Sequence, residues 1–146
     1  MTLENLLRIG KLKAHVAAKV EIDRVLASAQ RALADAAVEN LSSDSRLDLT
    51  YRAIMQAALA AMLANGYRPA TSEPGHHQLL IQALPKTAGI GAGRVRVLDA
   101  YRAARNLADY QGVSVSDAVA AECVTEAKST LAAVREWIAT HRTNST

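Results

Sequence analysis

Residues 43–64 constrain the fold more than any other stretch. Leu47, Tyr51, Ile54, Ala58 and Met62 recur at helical spacing, and the second half of the run is apolar nearly all round. A helix without a polar face has to sit at the centre of a bundle or at a subunit interface. Ser43 or Asp44 supplies its start, and Asn65-Gly66 supplies the C-terminal stop.

Other helical patterns surround this segment. Thr2 is placed to N-cap a short helix reaching Gly10, with Asn5 at the capping-box position. Lys11, Lys13, His15 and Lys19 read as a solvated face, and Ile22, Leu26, Ala29, Leu33 and Ala37 predict one helix over roughly 15–39. The connection from Tyr67 to Gly75, with two prolines and a glycine, is the most irregular part of the chain. A short helix then opens at His76-His77 and ends near Leu84 or Pro85. Gly89 to Gly93 reads as a connector into a fourth helix spanning about Arg94 to Tyr110. Ser114 or Ser116 caps the last helix, in which Ala120, Val124, Ala127, Leu131, Val134 and Ile138 keep the rhythm towards Arg142.

The chain has no Phe and only three Pro, and Ala recurs throughout. Alanine has the best helix propensity, and a chain this poor in aromatic residues gives strands little to pack with. The expected fold is all-α, an up-and-down antiparallel bundle of four long helices plus short ones. With 146 residues it should be a single domain, 1–146, with residues 1–14 as a short N-terminal segment and 143–146 as a frayed tail. Alanine buries less area than leucine, so homodimerisation is expected to compensate.

The net charge of +3 permits an anionic partner without demanding one, and a duplex-DNA binder would carry a denser stripe of Lys and Arg. Cys123 has no second cysteine to pair with and reads as a small packing residue. No signal-peptide core and no run of roughly 18 apolar residues occurs, so the expectation is a cytoplasmic protein with no membrane contact.

The fourth helix carries the most unusual polar pattern. At about 100° per residue, Arg102, Arg105 and Asp109 fall within one sector, with Tyr101 and Asn106 on its flanks. Val97, Ala100, Ala103, Ala104 and Leu107 on the opposite side read as a core face. Arginines recognise phosphate bidentately, and a neighbouring Asn or Asp fixes their orientation. The same i, i+4 spacing of Arg105 and Asp109 also fits a plain surface pair. Adjacent His76 and His77 diverge on a helix and have no completing ligands nearby, so a metal site is not expected and a phosphate-facing role for one of them is preferred. The glycines at 89, 91 and 93 lack the Lys-Ser/Thr ending of a phosphate cradle, and no cofactor is implied.

Taken together, Leu49-Thr50-Tyr51-Arg52-Ala53 through Leu63, the His76-His77 helix, and Arg105-Asn106-Leu107-Ala108-Asp109-Tyr110 before a long terminal helix resemble the HEPN (higher eukaryotes and prokaryotes nucleotide-binding) superfamily. The likeness covers about Asp44 to the end of the last helix. It implies a HEPN-like bundle whose dimer brings the two signature helices together over a shared arginine-lined cleft. It further implies RNA or nucleotide binding, metal-independent endoribonuclease activity in toxin members, and pairing of some members with a nucleotidyltransferase. Arg105 matches the signature Arg and Asn106 the polar residue after it. Tyr110 stands where the catalytic His is expected, and a tyrosine with a pKa near 10 is a poor base at neutral pH. The resemblance therefore implies a binding module holding phosphate with Arg102, Arg105 and Asn106, with Asp109 orienting the arginines. The alternatives are an endoribonuclease using Arg105 with Tyr110 or a loop histidine, a partner-binding bundle, and a purely structural one.

Overall fold

The computed structural model describes residues 2–72 and 75–142. The expected tail at 143–146, and Glu73 and Pro74 of the irregular connection, lie outside the described residues. The fold is an all-α helical bundle, 73% helical, with seven helices and a two-stranded sheet among the described residues. In chain order the elements are α1 (Leu3–Arg8), β1 (Leu12–Ala14), α2 (Lys19–Ala36), α3 (Ser43–Ala64), β2 (Tyr67–Pro69), α4 (His76–Gln82), α5 (Leu84–Thr87), α6 (Ala92–Gln111) and α7 (Asp117–His141).

The helix starts follow from local chemistry. Thr2 Oγ1 accepts from Asn5 N, Ser42 Oγ from Ser45 N and Ser116 Oγ from Val119 N, each at 3.1 Å. Each hydroxyl satisfies one of the orphan amides that begin a helix. At the end of α3, Asn65 donates from Nδ2 to the Ala61 carbonyl at 2.7 Å and to the Thr87 carbonyl at 3.0 Å, which ties that terminus to α5. Gly66 follows with φ 89°, a conformation that costs glycine little.

Helix α3 occupies the centre, as its apolar circumference requires. Leu47, Ile54, Ala57, Ala58, Ala60, Ala61 and Met62 are fully buried. Helices α2 and α7 pack along it over most of their lengths, and the alanines let the backbones approach closely. Helix α6 lies across the same core with much less contact, reaching α3, α4, α5 and α7 over short stretches.

Three expectations are corrected. Residues 12–14 are a strand, which the sequence did not predict: Leu12 pairs with Pro69, Lys13 with Arg68 and Ala14 with Tyr67 in an antiparallel ladder, Leu12 is buried, and Lys13 stays exposed. A three-residue pairing across more than fifty positions leaves no local periodicity to read, and Pro69 is tolerated because this sheet has only edges. Helix α2 accordingly starts at Lys19 rather than near His15. Finally, α6 turns Val95, Leu98 and Tyr101 to the core, while Val97, Ala100, Ala103 and Leu107 are exposed. Alanines lie on both sides of this helix, so the apolar contrast that should select a core face is weak.

No helix among the described residues is long and apolar enough to cross a membrane.

Candidate functional site

The polar end of α3 and the middle of α6 meet at a groove. Along α3, Asp48, Tyr51, Arg52, Met55 and Gln56 follow an i, i+3, i+4, i+7, i+8 rhythm, which places them on one face. His77, in the first turn of α4, and Arg105, from α6, complete the lining of a cavity of about 380 Å³. That volume falls within the roughly 300–1,000 Å³ typical of small-ligand sites.

Arg105 is held from three directions. Its Nε donates to Asp48 Oδ1 at 3.1 Å, and Asp109 Oδ2 lies 3.9 Å from the same nitrogen. The guanidinium carbon sits 5.4 Å from the centre of the Tyr51 ring, within cation–π range. Neither Nη group donates a hydrogen bond among the described residues, which leaves that edge of the fork available to a ligand, and Arg105 lines the groove. Tyr51 is buried, which pushes its phenol above the usual range, and Arg102 and Arg105 partly offset this. Arg52 has no hydrogen bond or ion pair among the described residues and is exposed.

His77 brings a neutral group to the same groove. Partial desolvation, then His76 and then Arg105, hold its pKa below the ordinary 6.5, so the neutral imidazole is favoured at pH 7. The two adjacent histidine rings meet edge to face at 4.2 Å. Among the described residues no three His, Cys, Asp or Glu side chains converge as a metal site would need.

The expected site residues divide between the groove and other surroundings. Arg105 and His77 line it. Arg102 is drawn back along its own helix, where Nε and Nη2 donate to the two oxygens of Asp99 at 2.8 and 3.2 Å. That bond raises the Arg102 pKa further. Tyr101 is buried on the side of α6 facing α7. Its hydroxyl has no hydrogen-bond partner among the described residues, and burial followed by Glu122, Cys123 and Glu126 pushes its pKa up strongly. Asn106 is half-buried, His76 half-buried and Asp109 exposed. Tyr110 is 84% exposed near the end of α6 and does not line the groove.

The nearest and best-aligned anchor of Arg105 is therefore Asp48 of α3, with Asp109 further off. Asp48, Tyr51, Arg52 and Gln56 were not singled out as site residues from the sequence, where Tyr51 served as a core position and Tyr51 and Arg52 as part of the segment that resembles HEPN proteins. The available signal was the i, i+3, i+4, i+8 spacing of Asp48, Tyr51, Arg52 and Gln56, which puts them on one face of the helix.

A groove with two guanidiniums, a neutral imidazole, an amide and one carboxylate suits an anion carried by a molecule with its own hydrogen-bond donors. This defines a helical-bundle protein with an arginine-lined surface groove. No family model matches the chain, and no curated protein matches it.

Proposed function

We propose that this protein is a HEPN-like module that binds RNA or nucleotide through phosphate in the groove between α3, α4 and α6. The observation that carries the reading is Arg105, which lines the groove together with Arg52, donates from Nε to Asp48 at 3.1 Å and lies 5.4 Å from the centre of the Tyr51 ring. A pre-oriented guanidinium loses little freedom when it takes up a phosphate, so its hydrogen bonds add to affinity. The homodimer belongs to the same reading. Val97, Leu107, Tyr110 and Val113 are exposed apolar side chains on α6 and just beyond it, which contact with a second copy would cover. Two copies joined there would bring two arginine grooves into one assembly.

A second reading, metal-independent endoribonuclease, is favoured by one observation: the neutral His77 imidazole shares the groove with Arg105. There it can accept the proton of a ribose 2′-hydroxyl as that oxygen bonds to phosphorus and the 5′-oxygen leaves, taking a proton in turn, while Arg105 stabilises the charge developing on the phosphoryl oxygens. Tyr110 has no part in this version, because it lies outside the groove.

One experiment addresses both. Purified protein is incubated with total cellular RNA in EDTA, wild type beside Arg105→Ala, and read on a gel. Retarded migration by the wild type alone supports the binding module. Cleavage by the wild type that Arg105→Ala abolishes supports the nuclease. If wild type and variant behave alike, the groove is not the site.

A further inference from the structure

Asp48 is out of place in a groove that binds only phosphate. Its carboxylate lies on the same guanidinium that would hold the anion, 3.1 Å from Arg105 Nε. The side chain is 52% exposed and lines the cavity. Oδ1 is engaged by Arg105, whereas Oδ2 accepts no hydrogen bond among the described residues. A phosphate seated on the Nη edge of Arg105 would therefore have a second anion as its neighbour. Two anions that close repel unless a donor lies between them.

On the reading that the groove binds phosphate, we propose that Asp48 is the residue that selects ribonucleotides over deoxyribonucleotides, its free Oδ2 accepting from the ribose 2′-hydroxyl next to the bound phosphate. The 2′-hydroxyl is the chemical difference between RNA and DNA, and in RNA it sits on the carbon adjacent to the one that bears the 3′-phosphate. Bridging by this donor converts the Asp48–phosphate repulsion into a charge-assisted hydrogen bond. A deoxyribose leaves the repulsion in place. Other features of the site fit this division of labour. Arg52 and Arg105 supply the attraction common to any nucleic-acid strand, and Asp48 supplies the difference.

The test measures fluorescence anisotropy with a labelled single-stranded RNA decamer, the DNA decamer of the same sequence and the 2′-O-methyl RNA. Wild type, Asp48→Ala, Asp48→Asn and Arg105→Ala are compared, and circular dichroism confirms that each is folded. The wild type is expected to prefer RNA to either analogue by about tenfold, the scale of one hydrogen bond to a charged group. Asp48→Ala should bring that ratio close to one. Asp48→Asn, which keeps an oxygen for Arg105, should retain part of it. Because the readout is a ratio, any disorder of Arg105 that weakens all three ligands equally leaves it unchanged. Equal affinity of the wild type for RNA and DNA, or an unchanged ratio in Asp48→Ala, overturns the inference. The phosphate reading still stands in either case if Arg105→Ala weakens binding to every strand. If the wild type binds none of them, or Arg105→Ala binds as well as the wild type, that reading fails and the inference fails with it.

Discussion

Helix α3 buries twelve of its 22 residues, whereas α6 buries three of its 20. Both are long and rich in alanine, yet α3 is enclosed by α2 and α7 while α6 rests on the core along one narrow line of contact. A helix in the first situation is tuned for packing, and a helix in the second is free to carry chemistry. The groove forms where the two types meet. α3 supplies the buried Tyr51 and, at its exposed edge, Asp48, and α6 contributes a guanidinium that both contact. A rigid support under a solvent-facing charged group is the arrangement that binding sites need.

Substitutions that break this contrast should do so on different observables. The largest effect is expected in α3: Leu47→Ala removes a fully buried side chain and should cost about 2–5 kcal/mol in denaturant unfolding. Leu107→Ala in α6, where the side chain is 44% exposed, should stay within about 0.5 kcal/mol. Equal losses at the two positions would mean that α6 is as integral to the core as α3. Next in size, Arg52→Ala should weaken RNA binding about tenfold and flatten its salt dependence, with little change in thermal midpoint. A drop in stability that matches the drop in affinity would instead make Arg52 a structural residue.

The pH response should be smaller and specific to α4. The His77 pKa lies below 6.5 in the folded protein, so the unfolded chain takes up its proton first as pH falls. Folding stability should decline slightly as pH drops from 6.5 through the folded value. Binding of an anion runs the other way, because protonated His77 attracts it. RNA affinity should rise several-fold over that window in the wild type and stay level in His77→Gln, as followed by anisotropy at constant ionic strength. The smallest effect belongs to the outer surface. Lys19 and Asp23 form an exposed i, i+4 pair, and Lys19→Ala should change stability by no more than about 0.5 kcal/mol. Cys123 provides a check on the core itself: burial, with Glu122 and Glu126 beside it, pushes its thiol up to about 12, so alkylation should require unfolding.

Legibility in the sequence followed the range of each interaction. The caps at Thr2 and Ser116 and the Asn65-Gly66 stop depend on neighbours a few residues away, and they could be read directly. The position of α3 was legible in part: an apolar second half belongs at a bundle centre or a subunit interface, and the fold puts it at the centre. The β1–β2 ladder was not, because Leu12 and Pro69 meet through the fold and neither segment repeats long enough to show a period. The inward side of α6 was misread for a different reason. Alanines at 100, 103 and 104 give little contrast, so the decision fell to contacts with α3 that no local pattern encodes. The candidate groove shows the same limit. Arg105 stood out on its helix, but its anchor Asp48 is 57 positions away, and His77 joins them from a third element. Arg102 and Arg105 shared one polar sector in the sequence; the fold gives Arg102 to Asp99 and places Arg105 in the lining of the groove.

That divergence offers the most direct test of the account. RNA binding is measured by anisotropy for Arg102→Ala and Arg105→Ala in parallel, two removals of the same charge three residues apart on one helix. The account predicts that Arg105→Ala loses about tenfold or more in affinity while Arg102→Ala stays within about twofold of the wild type, the residual being long-range charge alone. Equal losses would reduce the groove to a diffuse positive surface, and a larger loss in Arg102→Ala would place the binding site elsewhere on α6.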